Sequence, residues 1–371
     1  MSRVYLDHAA SSPLHPEARA SMQAWLQDDL GNPSSLHQEG RRAKDAIDEA
    51  RETLSGALGC LFAEVLFTSS GTEAANLAVI GTALIGIGGD RRRIMIGAAE
   101  HHCVLHTEAT LRKLGYEVEF IPVDRSARVD LNWLQDNLTD DTLLVSVMHA
   151  NNEIGSIQDL SPIADLARKH GAIFHSDAVQ TFRQFDWTTP DLDPDLITLS
   201  AHKIGGPKGA GAIWIRAGVK IDPLAVGGGQ EREMRAGTES VLQIVGFGAA
   251  VRHYEPKQEQ RVALRERLMA GLERHGFVPT LPDRTECLAG HVHGRFPGLT
   301  AESALIRLDR LGISASSGAA CSSGSVEPSH VMLAIGHDLT AAKEALRFTL
   351  GPSTTEAEIE QTLRAVAEMR G

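Results

Sequence analysis

Cysteine is scarce in this chain. Four occur among 371 residues, at positions 60, 103, 287 and 321, and none forms a CxxC pair. That excludes a disulfide framework and leaves no zinc-ligand spacing, so no metal site is expected. Lysine is also scarce, with eight in all. A long apolar run is missing too. No uncharged stretch exceeds sixteen residues; one of that length, residues 74–89, is rich in glycine and short of the roughly twenty that span a bilayer. Residues 1–14 contain Asp7 and His8 and lack the apolar region of a secretory signal. A cytoplasmic protein without membrane attachment is expected. Net positive charge is absent: the formal value is -12, which argues against direct, extensive contact with nucleic acid. The one basic run, Arg91-Arg92-Arg93, reads as a solvated turn.

What is present is a rhythm. Between residues 60 and 216, short apolar runs near 65–67, 93–96, 117–121, 143–148, 172–175, 196–199 and 212–215 alternate with amphipathic segments such as 163–170. Such alternation predicts an α/β protein with a mostly parallel sheet of seven strands and helices on both faces. Ligand sites in these sheets gather at the carboxyl ends of the strands. After about residue 250 the pattern changes to a charged helix at 257–276, mixed elements and a last helix at 354–369, which reads as a smaller α+β domain. We expect a large domain over 15–255, and a small one from 1–14 with 256–371.

Four constellations stand out. Phe67-Thr68-Ser69-Ser70-Gly71-Thr72-Glu73 ends a strand and opens an Ala-rich helix. Free N–H groups, the positive helix end and hydroxyl donors make an anion cup, or simply a Ser/Thr cap. In Phe174-His175-Ser176-Asp177 a carboxylate follows an apolar strand; buried there it needs a cationic partner or strong donors, unless it caps a helix. Ser200-Ala201-His202-Lys203-Ile204-Gly205-Gly206 sets a lysine in a glycine-rich bend, where partial desolvation makes it neutral more readily and suits it to imine chemistry. The alternative is a solvated turn. Together, an anion cup, an acid and a lysine at strand ends of one sheet match what pyridoxal 5'-phosphate needs. The fourth, residues 227–239, is polar and glycine-rich and reads as loop or disordered connector.

With these motifs the chain resembles the cysteine desulfurases of iron–sulfur-cluster and nitrogenase maturation, pyridoxal-phosphate enzymes of the class V aminotransferase group with the fold type I architecture. The likeness runs nearly end to end. It includes Tyr5-Leu6-Asp7-His8-Ala9-Ala10, Gly31-Asn32-Pro33-Ser34-Ser35, Glu100-His101, His149-Ala150-Asn151-Asn152-Glu153-Ile154-Gly155, Met234-Arg235-Ala236-Gly237-Thr238 and the tract Ser316-Ser317-Gly318-Ala319-Ala320-Cys321-Ser322-Ser323-Gly324-Ser325. The resemblance implies that Lys203 binds the cofactor aldehyde, Asp177 pairs with its ring nitrogen and Gln180 bonds its ring hydroxyl. It implies that His101 stacks on the ring and moves protons, and that Gly71, Thr72, Ser200 and His202 hold the phosphate. Thr238 would reach the phosphate in a partner subunit, making a homodimer. Asn152 and Arg347 would bind the substrate carboxylate, for which Arg offers a fork. Residues 343–346, before Arg347, depart from the family's small hydroxyl residues and leave the pocket rim open to question.

The implied reaction converts L-cysteine to L-alanine. Lys203, freed from the cofactor, takes the α-proton, and the thiolate of Cys321 takes the substrate sulfur as a persulfide. A sulfur-acceptor protein then receives it, whether an iron–sulfur scaffold, a tRNA-thiolation carrier or a carrier for DNA phosphorothioation. Cys60, Cys103 and Cys287 are assigned to packing. Rival readings are an aminotransferase or selenocysteine lyase of the same fold, which share Lys203, and a decayed scaffold protein, which would have lost Lys203, Asp177 or Cys321.

Overall fold

The computed structural model describes residues 3–27, 30–317 and 327–370. In chain order its strands are β1 (Val4–Tyr5), β2 (Val65–Thr68), β3 (Arg93–Gly97), β4 (Glu117–Ile121), β5 (Thr142–Ser146), β6 (Ile173–Asp177), β7 (Leu196–Ser200), β8 (Gly211–Ile215), β9 (Val278–Pro279), β10 (His291–Arg295), β11 (Ile313–Ser314) and β12 (Ala345–Thr349). Seven form one sheet in the order β2-β8-β7-β6-β5-β3-β4. Strand β8 is antiparallel to both its neighbours, and every other pairing is parallel. Strands β5 and β7 are buried along their whole length. Covering both faces explains why they read as unbroken apolar runs. At the sheet edge, β4 alternates and exposes Phe120. All seven expected strands are present; β5 ends two residues early, although the N–H groups of Val147 and His149 still donate to β6, while the Met148 N–H between them donates to the Glu100 carboxylate.

Helices Pro16–Gln27, Gln38–Leu58 and Val241–His253 cover one face, around Phe67, Ile197, Leu199 and Phe247. Helix Gly71–Ile85 lies on the other with Ala75, Val79, Ile94 and Ile96. Beyond residue 255, β12-β10-β9 form a second sheet, and Val4, Leu6, Leu268, Phe296, Phe348 and Val366 share a separate core. The N-terminal segment joins the two. Strand β1 pairs with β11, while the N–H groups of Ser12 and His15 donate to the carbonyls of His202 and Gly205, both at 2.8 Å. That stitch crosses directly over the bend carrying Lys203.

Two loop readings change. Arg91 and Arg93 are not a solvated turn. Arg91 Nη1 donates to the carbonyls of Thr142 (2.6 Å) and His170 (2.9 Å), and Arg93 opens β3 with its Nη2 at 2.8 Å from both oxygens of Glu119. Charge composition hid this because the acceptors are backbone carbonyls and a neighbouring strand. Nor are residues 227–239 a disordered connector. Glu231 is buried and meets Arg51 through two hydrogen bonds of 2.7 Å, while also accepting from the Phe67 N–H at 2.8 Å. The loop is thereby pinned to the strand that precedes the anion cup.

Removing one partner of a buried pair leaves the other charged and unsatisfied. Glu231→Gln is expected to destabilise the cofactor-free protein by about 3–5 kcal/mol, read as a lower urea midpoint at unchanged slope. An unshifted midpoint would show that the pair contributes no stability.

Candidate active site

The carboxyl ends of β2, β6 and β7 point to one cavity of about 300 Å³. Of the expected site residues, Gly71, Thr72, His101, Asn152, Asp177, Gln180, Ser200, His202, Lys203 and Arg347 all line it. Thr238 does not; it is exposed on the loop after Glu231. Cys321 lies outside the described residues.

The cup is built at the start of helix Gly71–Ile85. The Ser70 hydroxyl caps it by accepting from the Glu73 N–H at 3.1 Å. Cap and cup coexist: Ser70 satisfies the third amide of the helix, while the N–H groups of Gly71 and Thr72, in its first turn, have no partner within the helix. A Cβ at position 71 would come to 3.0 Å from Val179 Cγ2 and 3.2 Å from Ser200 Cβ, so glycine lets the helix end lie tight against β7. Ser200 ends β7, and the short turn Ala201–Ile204 that follows carries His202 and Lys203. It closes at Gly205 with φ of 77°, a conformation that glycine adopts without penalty.

Lys203 is half-buried, and its Nζ donates to the carbonyls of Ala9 (2.5 Å) and Ala10 (3.1 Å). Burial first, and then the Arg347 charge, lower its pKa from 10.5 to about 8, against the opposing pull of Asp177 and Asp7. Asp177 ends β6; its Oδ1 accepts from the Val179 N–H at 2.9 Å, and its Oδ2 faces the Cys103 thiol at 4.0 Å. Burial raises this carboxyl to about 6. It caps no helix, and the arrangement leaves room for a cationic donor. His101 Nδ1 accepts from the Cys103 N–H at 3.1 Å, which puts its proton on Nε2. Burial, and then Lys203, hold it at about 4, so the ring is neutral. The Gln180 amide donates to the Ala9 carbonyl at 3.0 Å.

At the rim, Arg347 is almost fully buried. Its Nη1 donates to the Asn152 carbonyl at 2.8 Å and its Nη2 to Asp7 at 2.9 Å. Its Nε and the Asn152 side-chain oxygen are buried with no partner among the described residues. The unfilled Arg347 N–H beside the cavity is a donor that an arriving carboxylate satisfies, whereas the Asn152 side-chain oxygen is an acceptor, so it is the amide NH2 of that residue that would face a carboxylate. The departure at 343–346 does not touch the rim: Glu344 faces away, accepting from Arg295 (2.7 Å) and from the Gly298 N–H (2.8 Å).

Three features escaped the sequence reading. Cys103, assigned to packing, lines the cavity, and burial with the nearby Asp177 and Glu100 charges pushes its thiol up. Glu153 also lines it, is raised to about 7 by burial, and accepts a hydrogen bond from the Ser329 hydroxyl; its place beside Asn152 in the motif was the available signal. The Ala9 and Ala10 carbonyls that hold Lys203 are backbone groups and carry no residue signature. The donor set fits pyridoxal phosphate: amides, hydroxyls and an imidazole for a phosphate, a buried acid for a protonated ring nitrogen, and a desolvated amine for an aldehyde.

An α/β fold with this cavity defines a class of enzyme, and the sequence comparisons place the chain within it. Residues 4–362 match the family described as Aminotransferase class-V, and the chain belongs to that family. It is 41% identical to the Cysteine desulfurase IscS of Dictyoglomus turgidum over 97% of this chain and 92% of that protein. Among solved structures it is similar to a NifS-like protein (TM-score 0.92, 33% identity, 99% of both chains). It is also similar to SspA in complex with cysteine (TM-score 0.84, 31% identity, 95% of this chain and all of that one).

In the cofactor-free protein, amine-selective labelling of Lys203 followed against pH is expected to show a midpoint near 8. Arg347→Gln removes a nearby cation and raises the midpoint; Asp177→Asn removes an anion and lowers it. A wild-type midpoint at the ordinary value of 10.5 would overturn this account of the site.

Proposed function

We propose that the protein is a pyridoxal-phosphate-dependent cysteine desulfurase that takes the sulfur of L-cysteine as a persulfide on Cys321 and releases L-alanine. One observation carries the reading: the Lys203 amine, the Asp177 carboxylate and the open Arg347–Asn152 rim converge on a single cavity. Full-length similarity to named cysteine desulfurases supports it.

Gly71, Thr72, Ser200 and His202 would hold the phosphate, Asp177 the ring nitrogen and Gln180 the ring hydroxyl, with His101 against the ring face. When bound, the cofactor supplies a covalent handle for the amino group and a sink for the electrons left when the α-proton departs. The remaining work falls to this chain. Arg347 and Asn152 fix the substrate carboxylate. Lys203, with a pKa near 8, holds an appreciable neutral fraction at neutral pH and takes the α-proton. His101, neutral and protonated at Nε2, is placed to donate.

The sulfur step needs a thiolate. Burial raises Cys60 to about 12 and Cys287 to about 11, and it raises Cys103 as well. The described thiols are therefore poor nucleophiles at neutral pH, which supports Cys321 in its Ser/Gly/Ala tract. Its thiolate forms a bond to the substrate sulfur while that sulfur's bond to carbon breaks, and the persulfide passes to an acceptor protein. We further propose a homodimer in which Thr238 completes the partner's phosphate site, a cytoplasmic setting, and a division into a large domain over 15–255 and a small one from 1–14 with 256–371. No described helix is long and apolar enough to cross a membrane.

Incubation of the cofactor-loaded protein with L-cysteine and a thiol reductant is expected to yield alanine and sulfide in equal amounts. Cys321→Ala should bring both to background while leaving the visible absorption of the bound cofactor intact. Lys203→Ala should abolish turnover and the covalent absorption together. Undiminished alanine from the Cys321→Ala protein would refute the desulfurase assignment in favour of a transaminase.

A further inference from the structure

Next to Lys203 lies a second and much smaller cavity of about 20 Å³. That is room for one water. Lys203 lines it, as does Ala9, whose carbonyl accepts from the lysine Nζ. So do His8, Arg261 and His291. Each of these three carries a buried nitrogen without a partner among the described residues: His8 Nδ1, Arg261 Nε and His291 Nε2. Buried nitrogens left unpaired are costly, and three on one water-sized void point to an occupant.

The hydrogen-bond directions are complementary. The Tyr5 carbonyl acts as an acceptor for the His8 ring and the Asn152 carbonyl for the His291 ring, which assigns each ring proton to the nitrogen other than the unpaired one. Burial keeps both rings neutral, His8 at about 4. The free nitrogens are therefore acceptors, whereas Arg261 Nε–H is a donor. One water donates twice and accepts, which matches that set. The position of His8 is built in: a Cβ on Gly351 would come to 2.1 Å from its Cε1, so the ring lies flat on a glycine backbone. The void also borders a larger cleft. His8, Ser12 and Tyr254 line both it and an adjoining cleft of about 450 Å³ that contains His15, His253 and Lys257.

We propose that this cavity holds a single exchangeable water, bound by His8, His291 and Arg261, through which the Lys203 amine exchanges protons with solvent by a route separate from the substrate pocket. The protonated lysine gives one proton to the water as the water gives one of its own to His8 Nδ1. Reversal returns a different proton to the lysine. The water then leaves by the cleft, carrying the original proton, and another replaces it. Nothing is consumed. The function of such a route is to clear the abstracted proton without opening the substrate side to solvent.

The test has two parts. A crystal structure of the cofactor-loaded enzyme that resolves ordered waters is expected to show one within hydrogen-bond distance of His8 Nδ1, His291 Nε2 and Arg261 Nε; a dry cavity overturns the proposal. The second part rests on the desulfurase reading. With L-cysteine deuterated at Cα, the wild-type enzyme is expected to make alanine that has lost most of the label. His8→Phe keeps the ring and removes the acceptor, and should raise label retention about threefold or more. His8→Gln restores an acceptor and should return retention toward wild type. Equal retention in all three proteins overturns the route, whereas failure to form alanine at all refutes the desulfurase reading and leaves the crystallographic result to decide this one.

Discussion

A lysine amine that must lose its charge inside the protein is the constraint on which the site depends. Water would hold Lys203 protonated, so the fold removes water from it. That leaves a buried donor needing acceptors, and the N-terminal segment brings the Ala9 and Ala10 carbonyls to it. Backbone carbonyls satisfy N–H groups of either protonation state and carry no net charge. They anchor the amine while restoring less of its basicity than a carboxylate partner would. Asp177 and Arg347 then trim the balance from opposite sides.

The same segment explains why the two sheets cannot be considered apart. Strand β1 belongs to the second core, yet Ser12 and His15 are bonded to the lysine bend. On the far side of the cavity, the Arg51–Glu231 pair fixes β2 to the 227–239 loop. One charged pair deep in the protein thus holds both the strand leading into the anion cup and the loop bearing Thr238.

Much of this was legible in the sequence, for local reasons. Asp177 ends an apolar strand and Gly71 and Lys203 each lie three residues past one, and a parallel sheet sends every such strand end to one edge. What was not legible depends on distant pairing. Arg51 and Glu231 are 180 residues apart, so neither side chain announces the other. Arg91 and Arg93 look solvated until the carbonyls and the neighbouring strand that receive them are in place. Cys103 reads as packing because a thiol in a mixed segment has no orientation until helix His102–Leu105 turns it toward Asp177. The unpaired nitrogens of His8 and His291 emerge only when two strands of the second core close behind the lysine bend.

The rim carries a further electrostatic consequence. Arg347 lowers the Lys203 pKa, whereas Asp7 raises it, and the two are joined to each other at 2.9 Å. A substrate carboxylate arriving at Arg347 neutralises the charge that depresses the lysine. Under the proposed reaction, binding therefore makes the amine more basic as the α-proton comes within its reach. Without substrate, the same arginine holds the lysine toward the neutral form, the one that an aldehyde requires. A single guanidinium, held between Asp7 and the Asn152 carbonyl, serves both demands because one nitrogen of its fork was left unpaired.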